Sequence, residues 1–153
     1  MYKHILVPLD GSATAERGFR EALQLATEQK SKLSLLHVID DFPMLLEMSS
    51  VANFEDSLRK VREYGEQVLA KGRSEAAKAD VPVDTFLREV TNGRVADVVI
   101  KEASALGCDL IVMGTHGRRG FSRLALGSDA DRVVRASPVP VLLVREADAS
   151  DER

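Results

Sequence analysis

The sequence predicts a single-domain α/β fold, an open, doubly wound, parallel five-stranded sheet in the order 3-2-1-4-5 with helices on both faces. Three observations predict it. Short apolar runs recur without the strict alternation of a half-exposed sheet, as in Ile5-Leu6-Val7-Pro8-Leu9 and Leu110-Ile111-Val112-Met113. Stretches with apolar residues at helical spacing separate them. Turn-forming Asp, Gly and Pro punctuate the junctions. Right-handed crossovers then restrict the winding, and in the order 3-2-1-4-5 it reverses between strands one and four, so that Asp10 and Gly114 face each other.

Residues 2–9 suit a short buried strand that ends in the turn Asp10-Gly11-Ser12. Beyond Ser12, Ala15, Phe19, Ala22, Leu23 and Ala26 mark the buried face of a helix, with Glu16, Arg17, Arg20, Glu21 and Gln24 on the other. Residues 33–39 form the second strand, broken by Asp40-Asp41-Phe42-Pro43. The stretch 42–54, with Met44, Leu45, Leu46, Met48 and Val51, is expected to be an apolar connection acting as a lid or contact surface. One long helix is expected over 54–79, with Leu58, Val61, Val68, Leu69, Ala76 and Ala79 inward and Gly65 and Gly72 weakening it slightly. Residues 81–90 supply strand three. Asn92-Gly93 opens a helix carrying Val95, Val98, Val99, Ala103 and Leu106, closed by Gly107. Strand four covers 109–113, a short helix 128–136 stops near Pro138, and strand five covers 139–145. The domain is expected to span 1–146, followed by a loose acidic tail, 147–153.

A chain of 153 residues can bury a substantial core without metals or disulfides. Its 44% apolar and 29% charged content is ordinary for a globular protein, and a net charge of −3 gives no general attraction to nucleic acid. Cys108 is the only cysteine; just before a buried strand, it reads as a small inert hydrophobe. No apolar run approaches the ~20 residues that span a bilayer, and no charged leader precedes one at the N-terminus, so a cytoplasmic location with no membrane partner is expected.

The chemistry concentrates after strand four. Gly114, Gly117 and Gly127 precede Ser128 in a strand-to-helix connection that also carries Arg118, Arg119 and Arg123. Glycines with positive φ would bring backbone N–H groups to an anion, and the start of the helix adds its own. Ser128 reads either as a phosphate donor or as the cap of a Ser128-Asp129-Ala130-Asp131 capping box. Asp129 and Asp131 favour the helix dipole but repel a bare triphosphate, which points to a bridging divalent cation. Asp10 suits either a ligand hydroxyl or a plain turn. No Walker A loop, GxGxxG fingerprint or GxSxG elbow occurs, and His4, His37 and His116 lack metal-ligand spacing.

From Ile5-Leu-Val-Pro-Leu-Asp10-Gly-Ser12 through Pro138-Val-Pro-Val-Leu-Leu-Val144, the chain resembles the universal stress protein family. Gly114-Thr-His-Gly117, nine residues, then Gly127-Ser128 reproduces that family's GxxG(x9)G[ST] pattern, the mark of its ATP-binding branch. The resemblance implies that Asp10 contacts the ribose, the Val38 backbone recognises adenine, and Pro8, Leu9 and Met113 line the base pocket. It places Gly114, Gly117, Gly127, Ser128 and the backbone of Asp129 around the phosphates; the divalent cation expected from Asp129 and Asp131 would be Mg2+ or Mn2+ carried on the nucleotide. Asp129 departs from the small apolar residue usual there. The resemblance also implies a homodimer through residues 139–144, with Val139 and Val144 at the ends of that edge. The expected function is a nucleotide-dependent stress-response regulator that contacts another protein and hydrolyses ATP slowly at most. The alternatives are a slow ATPase, with His116 positioning water, and a constitutive dimeric interaction module that binds AMP, cyclic AMP or nothing.

Overall fold

A computed structural model describes residues 1–48, 50–116 and 125–146. The elements are β1 (His4–Pro8), α1 (Ala13–Gln29), β2 (Lys32–Ile39), α2 (Phe42–Met48), α3 (Val51–Lys78), β3 (Val83–Glu89), α4 (Val95–Ala105), β4 (Leu110–Gly114), α5 (Ser128–Ala136) and β5 (Val141–Val144). All strand pairs are parallel and the order is β3-β2-β1-β4-β5, as the sequence predicts.

Alternation along each strand divides the core in two. Ile5, Val7, Leu33, Leu35, Leu110 and Val112 pack with Phe19, Ala22 and Ala26 of α1 and Leu69 and Ala76 of α3. Leu6, Leu36, Val38, Ile111 and Met113 face the other way, onto Ala96, Val99 and Ala103 of α4 and Ala130 and Val133 of α5. Helices therefore cover both faces. Ser12 caps α1, its hydroxyl accepting from Ala15 N–H at 3.2 Å.

Three expectations require correction. The stretch 42–54 is not a bare connection: it holds α2 and the start of α3, pinned by an edge-to-face contact between Phe42 and Phe54 at 5.3 Å. Pro43 ends the strand as expected but sits in the first turn of a helix, where its missing N–H costs nothing. Gly65 and Gly72 lie on the buried stripe of α3. A Cβ at Gly65 would stand 2.7 Å from His37 Cδ2, and one at Gly72 would stand 2.7 Å from Leu35 Cδ1, so these glycines set how closely α3 approaches the sheet. Finally, α4 begins at Val95, two residues after Gly93, whose φ of +132° shapes the preceding loop.

At the opposite end of the sheet, Asp109 ties β1 to β4. Its carboxylate accepts from Lys3 N–H at 2.9 Å and His4 N–H at 3.0 Å. Burial would raise its pKa, but these backbone N–H groups together outweigh that and hold it below the ordinary value. A depressed carboxyl contributes stability above its unfolded pKa and loses it as pH falls through the folded one. The difference in melting temperature between the wild type and Asp109→Asn is therefore expected to be full at pH 6 and to shrink below about pH 4; a difference independent of pH would contradict the role. Burial, then the Asp109 charge, pushes the Cys108 thiol up to about 11, which keeps it protonated and inert.

Candidate nucleotide site

Beyond the carboxyl ends of β1, β2 and β4 lies a cavity of about 590 Å3, at the point where the winding reverses. The expected residues Pro8, Leu9, Asp10, Val38, Met113, Gly114, Gly127, Ser128 and Asp129 all line it. Gly117, Arg118, Arg119, Ser122, Arg123 and the 147–153 tail lie outside the described residues, as do the side chains of Met48 and Val51. No described residue of α2 lines the cavity.

The floor follows from register. The β1–β2 ladder ends with Leu9 N–H donating to Leu36 C=O at 2.8 Å. In a strand, the N–H and C=O of one residue point to one side and those of the next residue to the other. Leu36 faces β1, while the Ile39 carbonyl accepts from Val90 N–H on the β3 side at 2.9 Å. Val38 therefore turns its backbone N–H and C=O toward the β1 side just past the end of the ladder. A donor and an acceptor on one strand edge, above apolar Met113 and Val99, suit the edge of a flat heterocycle.

Asp10 forms one wall. Its Oδ1 accepts from Ser12 N–H at 2.9 Å, so it makes the turn that launches α1 while also lining the cavity. The opposite end is the start of α5. Thr115, itself buried, donates its N–H to Val144 C=O at 3.0 Å and accepts from Gly127 N–H at 2.8 Å, which ties the end of β4 to the residue that caps α5. The first intrahelical bond runs from Asp131 N–H to Gly127 C=O, so the amides of Ser128, Asp129 and Ala130 precede the helix's own bonding where it meets the cavity.

This geometry corrects the expected cradle in two respects. Gly114 and Gly127 do not adopt positive φ: Gly127 has φ −58° and caps α5, and Gly114 is the last residue of β4. Ser128 is accordingly the first helical residue and not a capping-box cap, and the Gly127 N–H is already spent on Thr115. The smallness of Gly114 serves packing, since a Cβ there would stand 2.7 Å from Thr14 Cγ2 and 3.0 Å from the Thr14 backbone.

The sequence reading missed Arg94, the only Arg or Lys among the described lining residues. Its signal was its place just after Asn92-Gly93, in a loop leaving the carboxyl end of a strand. His116 also lines the cavity. Its Nδ1 is 3.1 Å from Thr115 Oγ1, and its buried Nε2 has no hydrogen-bond partner among the described residues. Among the described residues no cluster of three His, Cys, Asp or Glu side chains is placed to hold a metal ion, and no helix is long and apolar enough to cross a membrane.

The chain is similar to known proteins over nearly its whole length. The universal stress protein MJ0531 of Methanocaldococcus jannaschii is 31% identical over 95% of this chain and 84% of its own length. The solved structure of MJ0577, from the same organism, superposes with a TM-score of 0.82 at 30% identity, covering 97% of this chain and 99% of that one. Two more distant structures, at 22% and 17% identity, share the fold: a universal stress protein in complex with cAMP, and a family protein from Arabidopsis thaliana with AMP bound. The model of the universal stress protein family matches residues 1–145, and with these relatives it makes the chain a member of that family.

Proposed function

We propose that this chain is a nucleotide-dependent regulator that binds ATP in the cleft between β1 and β4, with residues 1–146 as the binding domain. The observation that carries the reading is that the backbone edge of Val38 and the first-turn amides of α5 open into one cavity, one end suited to a base and the other to phosphates. Pro8, Leu9 and Met113 line the base end; Asp10 lies at the ribose; Gly114, Gly127, Ser128 and the Asp129 backbone border the phosphates, and Gly117, by its place in the motif, is proposed to join them. Adenine nucleotides in two structural relatives support the ligand class.

A specific observation favours a second reading. Asp10, Asp40 and Asp129 all line the cavity and oppose a polyphosphate, which favours AMP or cyclic AMP unless Mg2+ or Mn2+ accompanies ATP. Hydrolysis would be slow at most, with His116 the ring nearest the phosphate end; an ATPase rate unchanged in His116→Ala removes it from that role. The outer edge of β5, with Leu142 37% exposed, is the proposed homodimer contact in a cytoplasmic protein that signals to a further protein; sedimentation as a monomer at micromolar concentration contradicts it. Mass spectrometry of nucleotides released from the purified protein, followed by competition among ATP, ADP, AMP and cyclic AMP on stripped protein, tests the whole reading. Recovered ATP and preference for it support the first reading, and preference for AMP or cyclic AMP the second. No titratable nucleotide contradicts both.

A further inference from the structure

The end of the β1–β2 ladder has a cause on the sheet face away from the cavity. His37, 1% exposed, points to the α1 and α3 side, and its Nδ1 lies 2.7 Å from the Leu9 carbonyl. A carbonyl accepts, so that nitrogen carries the hydrogen. The Leu9 carbonyl is the acceptor that Val38 N–H would take if the parallel ladder ran one step further, because Leu9 N–H already bonds Leu36 C=O. Next along the chain, the Tyr64 hydroxyl donates to the Asp10 carbonyl at 3.3 Å, and Gly11, with φ +85°, leaves room for it where a Cβ would fall on that hydroxyl. Gly65 lets α3 come close enough to hold the His37 ring in place.

We propose that His37 is a specificity-determining residue: by drawing the Leu9 carbonyl to the far face, it stops the β1–β2 ladder one bond early and leaves the Val38 backbone to read the edge of the base. The inference rests on the nucleotide reading for its ligand but not for its structural step. His37 does not touch the ligand; it acts through Leu9. The base it selects is one that presents an acceptor and a donor side by side, as the N1 and N6 edge of adenine does. Guanine presents a donor and an acceptor in the opposite arrangement.

Two neutral polar variants separate this role from general packing. In His37→Asn the side-chain N–H sits near the position of Nδ1, whereas in His37→Gln it sits one bond further out, beyond reach of Leu9. In the ligand-free protein, amide hydrogen exchange at Val38 is expected to slow at least tenfold in His37→Gln, as Val38 closes onto Leu9, and to stay at the wild-type rate in His37→Asn. The ratio of ATP to GTP affinity is expected to fall about tenfold in His37→Gln and to be kept in His37→Asn, the scale of one hydrogen bond. Equal Val38 exchange in all three proteins, or an equal fall in the ratio in both variants, overturns the proposal. A wild type that binds no nucleotide overturns the function proposed above, while Val38 exchange still decides the role of His37.

Discussion

Replacing Gly114 by Val is expected to lower the melting temperature by roughly 6–12 °C, whether or not nucleotide is present. The reason lies in α1, not in the ligand. A Cβ at position 114 meets not only a movable methyl but also the carbonyl carbon and oxygen of Thr14, both at 3.0 Å. That backbone cannot retreat easily: Ser12 fixes the start of α1 through Ala15 N–H, and Gly18, one turn on, brings the same helix against Gly114 N, with its own Cβ position 3.4 Å away. Overpacking of a rigid contact costs about 3 kcal/mol, and for a chain of this size each kcal/mol moves the midpoint by ~2–4 °C. Thermal melts of the ligand-free variant check it, and a midpoint within 2 °C of wild type contradicts the contact. The consequence is practical, since lost nucleotide binding in this variant reports a displaced helix and assigns no phosphate contact.

The proposed phosphate end is better tested at Ser128. Ser128→Glu is expected to weaken ATP binding by tenfold or more while leaving adenosine within about threefold. A carboxylate in the first turn of α5 meets the favourable end of the helix dipole, so stability holds or rises by a few tenths of a kcal/mol. It also stands beside Asp129 at the exposed mouth of the cavity, where added negative charge repels phosphate. Asp129→Ala is the reverse experiment and is expected to raise ATP affinity several-fold. Titrations of both variants with ATP and adenosine give the answer. An unchanged ATP-to-adenosine ratio in Ser128→Glu moves the phosphates away from α5.

The fold was legible because each strand announces itself as an uninterrupted apolar run and each crossover helix by its spacing. The α5 bounds, 128–136, were read without error, since Gly127 and Pro138 punctuate both ends. What failed shares one physical cause. Gly65 and Gly72 read only as residues that weaken a helix slightly, and Gly114 as part of a phosphate turn, yet they are places where a helix rests directly on the sheet, a fact set by partners distant in sequence. The 42–54 stretch misled because Pro43 was read only as a breaker, while the Phe42–Phe54 contact that holds α2 is tertiary. That Asp10, Val38, Gly114, Gly127 and Ser128 line one cavity followed from motif and topology. Arg94 and His37 did not: one sits in an unremarkable loop, and the other acts through a carbonyl that no side-chain pattern reveals.

Whether an adenine nucleotide spans from the Val38 edge to the start of α5, as proposed, is decided by a 1H–15N titration of the stripped, isotopically labelled protein with ATP. Saturable shifts are expected at Val38, Asp10 and Thr115 and at the Ser128, Asp129 and Ala130 amides, with little change in the α1–α3 groove around Gln67 and Lys71 on the other side of the sheet. Shifts confined to that groove, or none at millimolar ATP, would contradict that proposal.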